Sequence, residues 1–164
     1  MLLVSKTFLF TILVLMISCS TQNKVAMQAH DISHAIRLKP GDDLRHSIQQ
    51  FVNDHHTKAG WIVTCAGSLT VYNIRFANMP DGTTGTGHFE IVSLTGTLSE
   101  SGSHIHISIA DSTGKTIGGH LLEGCKIYTT AELILAESSH YIFKREKDGS
   151  TPLEELQISE KAGL

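Results

Sequence analysis

The sequence predicts an α+β fold: a single compact domain of mostly antiparallel strands around one early helix. Three observations carry that reading. Only one stretch has a helical period, the rest falls into apolar or alternating segments of strand length, and the connections between them are too short for parallel crossovers. The chain has 164 residues, 41% hydrophobic and 18% charged, with 14 glycines and 3 prolines. That composition suits one core with many tight turns.

Ala35-Ile36-Arg37-Leu38 alternates as a short strand, and Pro40-Gly41-Asp42 breaks it. Asp42 reads as an N-cap, because Leu44, Ile48, Phe51 and Val52 behind it fall at i, i+4, i+7 and i+8 on one apolar stripe. The helix is expected to reach about Lys58 and to stop at Gly60. Strands follow over residues 61–65, 69–77, 88–98, 104–110, 116–123 and, with breaks, 126–144. Pro80-Asp81-Gly82, Glu100-Ser101-Gly102-Ser103 and Asp111-Ser112-Thr113-Gly114 supply the turns. His55 and His56 are placed to stabilise the helix C-terminus. Cys65 and Cys125 sit in apolar strand contexts and are expected as buried free thiols. Glu154-Glu155 reads as part of a solvated tail.

At the N-terminus Lys6 precedes the apolar run over residues 8–17, the pattern of a secretory signal peptide and too short to span a bilayer comfortably. The run ends in Ile17-Ser18-Cys19-Ser20, which resembles a bacterial lipoprotein lipobox, with Met16 where that family usually carries Leu. The resemblance implies a signal peptide over residues 1–18 and lipid on Cys19 as the first mature residue. A polar tether would then cover 19–32 and the domain 33–164. Ser20, in place of Asp, implies the periplasmic side of a Gram-negative outer membrane. Two or more acyl chains give stable anchoring. Met27 is an alternative start for a shorter, cytoplasmic product.

Thirteen Lys+Arg against 16 Asp+Glu leave a formal charge of −3. Loss of Lys6 with the signal makes the balance more negative, so nucleic acid bound through phosphates is not the expected partner. The unusual count is histidine, at 10.

Ser103-His104-Ile105-His106-Ile107-Ser108-Ile109-Ala110 alternates with period two, so His104, His106 and Ser108 share one face and the isoleucines the other. Imidazoles two apart on a strand can reach one ion. A connection over residues 111–115 would set Ala110 opposite Thr116, and so His106 opposite His120. Three converging neutral imidazoles with a fourth position open make a catalytic or exchangeable Zn²⁺ site. A row of polar side chains on a solvated strand face stands beside that reading on equal terms.

Residues from about 34 to 158 resemble the PPC ("plants and prokaryotes conserved") domain. The motifs are residues 36–44, Gly67-Ser68-Leu69-Thr70, Ile74-Arg75-Phe76-Ala77, residues 87–98, His104-Ile105-His106-Ile107-Ser108, Gly118-Gly119-His120-Leu121 and Tyr128-Thr129-Thr130-Ala131-Glu132. The resemblance implies a homotrimer. Plant members couple the domain to AT-hook peptides, the source of a DNA-binding label, but this sequence has no Arg-Gly-Arg-Pro hook. More distantly, the domain is similar in fold to acetolactate decarboxylase, where a His-x-His and a later His hold zinc beside a glutamate and an arginine. Carried over, that implies His104, His106 and His120 as ligands, with Arg75 and Glu90 as the charged partners.

Two functional readings follow. One is a lipid-anchored, trimeric envelope protein whose three histidines hold Zn²⁺ or another divalent metal and bind or transform a small anionic or carbonyl-containing ligand. Glu90 would move a proton and Arg75 would hold a carboxylate. The other is a DNA-binding, regulatory or protein-interaction module without metal chemistry. Arg75 and Glu90 would then serve equally well in a structural ion pair, and His88 reads as a polar edge residue.

Overall fold

A computed structural model of the protein describes residues 31–162. The segment read as a signal peptide, Cys19 and Met27 lie outside the described residues. The chain order is β1 (Asp31–Leu38), α1 (Leu44–Asp54), β2 (Gly60–Arg75), β3 (Thr83–Leu98), β4 (His104–Ala110), β5 (Thr116–Leu121), β6 (Lys126–Ser138), β7 (Tyr141–Glu146) and β8 (Glu155–Glu160). β1 begins two residues ahead of Ser33, within the span read as tether.

Six strands form one antiparallel sheet in the order β1-β6-β2-β3-β4-β5. β5 also returns to β2, pairing Ile74 with Leu121 and Arg75 with His120, so β2, β3, β4 and β5 form a closed ring. β7 and β8 make a separate two-stranded sheet. The α+β reading holds: one helix and strands paired antiparallel.

The segments expected at 61–65 and 69–77 are one strand. Register shifts between Ile62 and Thr64, Gly67 and Leu69, and Leu69 and Val71 bend β2 without ending it. Gly67, in the gap between the two expected segments, is a close approach, since a Cβ there would stand 2.3 Å from the Thr130 carbonyl oxygen of β6.

The helix ends at Asp54 rather than about Lys58, and Asp43, not Asp42, is its N-cap. Asp43 has extended backbone, φ −89° and ψ 120°, and its Oδ1 accepts the His46 N–H at 3.1 Å. Its Oδ2 also accepts the Gly124 N–H at 2.7 Å, tying the cap to the β5–β6 turn. Asp42 closes the preceding turn, accepting the Lys39 N–H at 2.7 Å. At the other end, His56 at φ 53° turns the chain out of the helix, so Gly60 is not the stop; it opens β2. His55 Nδ1 lies 2.9 Å from the Phe51 carbonyl oxygen, while the His56 ring meets Glu100 at 2.8 Å.

Leu44, Ile48 and Val52 are buried on the helix and join Leu69, Ile74, Leu121 and Leu133 in one core. Ile105, Ile107 and Ile109 are 0%, 2% and 0% exposed, and the histidines between them stand outside. Each such side chain contributes about 1.5–3 kcal/mol by leaving water. The inward isoleucines therefore fix the outward face of β4. Among the described residues Cys65 and Cys125 are free thiols, Cys125 buried and Cys65 half-buried, and burial pushes both up to about 11.

Candidate metal centre

The β4–β5 hairpin positions the histidines. Asp111 Oδ1 accepts the N–H groups of Thr113 at 2.8 Å and Lys115 at 3.1 Å, and the Asp111 N–H donates to the Lys115 carbonyl at 3.0 Å. This turn sets Ala110 opposite Thr116 and His106 opposite His120, the register expected from its length. On β5's other side Arg75 faces His120. That contact needs Gly119: a Cβ there would lie 2.5 Å from the Arg75 carbonyl oxygen.

His104, His106 and His120 each offer a ring nitrogen, and the three lie within 4.8 Å of one another. His104 Nε2 and His106 Nε2 are 3.2 Å apart, and the ring centroids are separated by 4.9, 5.0 and 5.7 Å. Two nitrogens about 2.0–2.1 Å from one tetrahedral zinc would stand roughly 3.3 Å apart, close to the His104–His106 separation. His120 Nδ1 is buried with no hydrogen-bond partner, an orphaned polar atom. The donor set is wholly imidazole, so it fits a divalent transition metal and leaves room for a further ligand.

The surroundings favour the neutral rings a metal requires. His120 is pushed down to about 4, first by burial and then by His104, Arg75 and Arg45. His104 is lowered by burial first, then by Arg145 and His106.

Beside the cluster lies a cleft of about 360 Å³ lined by His104, His120 and three arginines, Arg45 of α1, Arg75 of β2 and Arg145 of β7. Glu154 and Glu155 line it too; Glu154 is exposed as expected, whereas Glu155 is half-buried at the start of β8. Sequence reasoning missed Arg45, Arg145 and both glutamates. Arg45 is masked by its place beside Leu44 on the helix, and the other three sit in a stretch without apolar period.

Arg75 lines the cleft. Glu90 does not. It faces Ser68 and Ala110, is exposed, and lies four positions along β4 from the strand level of His106, roughly 13 Å at 3.3 Å per residue. The carboxylates brought to this cleft are Glu154 and Glu155 instead. No ion pair joins Arg75 to Glu90 among the described residues. His88 stacks on Tyr128, centroids 4.1 Å apart, away from the cluster.

The fold and site define a small α+β domain with an imidazole cluster on the outer face of a strand hairpin. The chain belongs to the Plants and Prokaryotes Conserved (PCC) family, whose domain matches residues 27–139. It is 39% identical over 129 residues to the bifunctional protein GlmU of Synechococcus sp. (strain JA-3-3Ab), a match covering 79% of this chain and 21% of that protein. The chain thus spans about a fifth of the curated relatives it matches. Among solved structures, a hypothetical protein from Salmonella enterica is 36% identical with a TM-score of 0.79, over 81% of this chain and 96% of that one. A putative DNA-binding protein from Bacteroides thetaiotaomicron (20% identity, TM-score 0.68, 79% and 96% covered) shares the fold. So does a metal-containing protein from Archaeoglobus fulgidus (23%, 0.63, 77% and 93%).

Proposed function

We propose that this protein is a metal-dependent binding protein or enzyme of the envelope, with His104, His106 and His120 holding Zn²⁺ or another divalent ion and a small ligand occupying the adjoining cleft. The observation that carries the reading is the convergence of three ring nitrogens within 4.8 Å, in a cluster where His120 Nδ1 is buried and unpartnered. The description of the Archaeoglobus neighbour as metal-containing agrees with it. A bound divalent ion supplies a Lewis acid that can polarise a carbonyl or lower the pKa of water. The chain's own residues do the rest: Arg75 orients an anionic group, and Glu154 and Glu155 are the carboxylates available for proton movement.

Metal analysis of the purified protein tests this. One zinc per chain, lost in His106→Ala, supports the reading, and a protein that takes up no divalent metal removes it.

Two further properties belong to the same proposal. Cys19 carries lipid and holds the domain at the outer membrane, supported by the apolar run after Lys6 and the Ile17-Ser18-Cys19-Ser20 sequence. Mass spectrometry of the membrane fraction should find acylated Cys19, and an unmodified full-length chain in the soluble fraction refutes it. The chain also assembles as a homotrimer, supported by the family resemblance and by Ile32, Val63 and Ile134, which are 50%, 55% and 36% exposed on the neighbouring strands β1, β2 and β6. Sedimentation equilibrium at three chain masses is expected. The alternative, a DNA-binding or protein-interaction module, draws on the description of the Bacteroides neighbour. Salt-sensitive retardation of duplex DNA would favour it.

A further inference from the structure

We propose that the β7–β8 hairpin makes the cleft an oxyanion site, in which Arg145 joins Arg45 and Arg75 to bind the carboxylate or phosphate group of a small ligand beside the three histidines. The inference deepens the proposed function by naming a ligand class for the same cleft, and it rests on that reading for the metal alone.

The hairpin lies after residue 139, where the family match ends. It is fastened rather than loose. The Phe143 N–H donates to the Lys58 carbonyl at 2.9 Å, and the Arg145 N–H to Ser101 Oγ at 3.1 Å. The Arg145 guanidinium itself is aimed by Thr97, whose Oγ1 accepts from Nη2 at 2.5 Å. Thr97 pairs with His104 across β3 and β4, which places this guanidinium at the metal end of the cleft.

Three guanidiniums therefore share one cavity, brought by a helix, a ring strand and the hairpin. None of them makes an ion pair among the described residues. Glu154 and Glu155 line the same cleft but leave the guanidiniums in excess, which favours an anion there, and the guanidinium fork matches carboxylate and phosphate oxygens bidentately. Burial also lowers Arg145 from its ordinary value. Glu155 opposes the anion from the same cleft, where Thr151 Oγ1 donates to its Oε1 at 2.5 Å. Its charge favours ligands that also offer a neutral donor.

Calorimetric titration of the full protein, metal-free and zinc-loaded, with inorganic phosphate and with succinate tests this. Either probe should bind, and which one binds more tightly says whether the ligand is a phosphoryl compound or a carboxylate. Arg145→Gln should weaken binding about tenfold or more, the loss of one charge-assisted pair, while still taking up zinc as the wild type does. Glu155→Gln should tighten binding severalfold, a gain that misfolding would not produce. Unchanged affinity in Arg145→Gln, or no binding of either probe in both forms, overturns the inference. Arginine-dependent anion binding in a protein that takes up no zinc upholds it while removing the metal reading. Zinc uptake without anion binding does the reverse.

Discussion

His106 stands directly opposite His120 across the β4–β5 hairpin, with ring centroids 5.7 Å apart. One ring is exposed on its strand and the other half-buried against Arg75, so the two contribute differently to the protein. That difference can be measured.

Zinc should raise the unfolding temperature of the wild type but not that of His106→Ala. A ligand present at 100 times its dissociation constant adds about 2.7 kcal/mol to stability. His106 is exposed, so the metal-free variant should unfold within roughly 0.5 kcal/mol of the metal-free wild type. Scanning calorimetry with and without zinc reads both.

Metal-free protein should lose stability as pH falls from 6.5 towards 4. His120 has its folded pKa depressed from 6.5 to about 4, so across that window the unfolded chain takes up a proton that the folded chain refuses. Above 6.5 neither state is protonated and the contribution is level. Urea unfolding at pH 7.5, 5.5 and 4.5 should show the slope, and His120→Gln should make it shallower.

Ile105→Ala should cost about 2–5 kcal/mol by opening a cavity beneath the histidine face, since Ile105 is 0% exposed. Denaturant titration gives the value. Zinc uptake should weaken with it, because the outward aim of His104 and His106 depends on the isoleucines packed inward.

Gly119→Ala should disrupt the β2–β5 pairing and lower zinc affinity together. The added methyl would stand 2.5 Å from the Arg75 carbonyl oxygen, a contact only backbone movement can relieve. Gly114→Ala, at the hairpin tip with nothing within 4 Å but φ 80°, should cost stability with less effect on zinc. A variant pair in which Gly114→Ala harms zinc binding more would contradict the assignment.

Asp43→Ala should destabilise more than Asp42→Ala. A cap alone is worth about 1 kcal/mol, and Asp43 also accepts the Gly124 N–H and lies 3.5 Å from Lys126 Nζ. Comparing urea midpoints of the two variants checks this.

The histidine hairpin was legible in the sequence because strict alternation and a short Asp-Ser-Thr-Gly connection leave few registers. Arg75 was legible through family motifs. β2 was not, since its bulges interrupt the period-two pattern and Gly67 looks like a turn while serving a close strand crossing. Two adjacent aspartates made the cap ambiguous, and the choice fell to a tertiary contact with Gly124. Glu90 was misplaced because sequence order does not reveal which end of a long strand meets the site. Arg145, Glu154 and Glu155 lie on a hairpin with little apolar pattern, and only its docking on Lys58 and Ser101 brings them to the cleft.

β2 has one more consequence. Its 16 residues pair in turn with β6, β3 and β5, so a single strand belongs to every part of the main sheet. The histidine hairpin cannot detach without surrendering the end of that strand, and the outer sheet cannot melt without releasing its beginning. The main sheet should therefore unfold as one cooperative unit, its ring-strand amides exchanging with solvent at a common, globally limited rate. A ligand held at Arg75 and His120 would then raise protection as far away as Trp61.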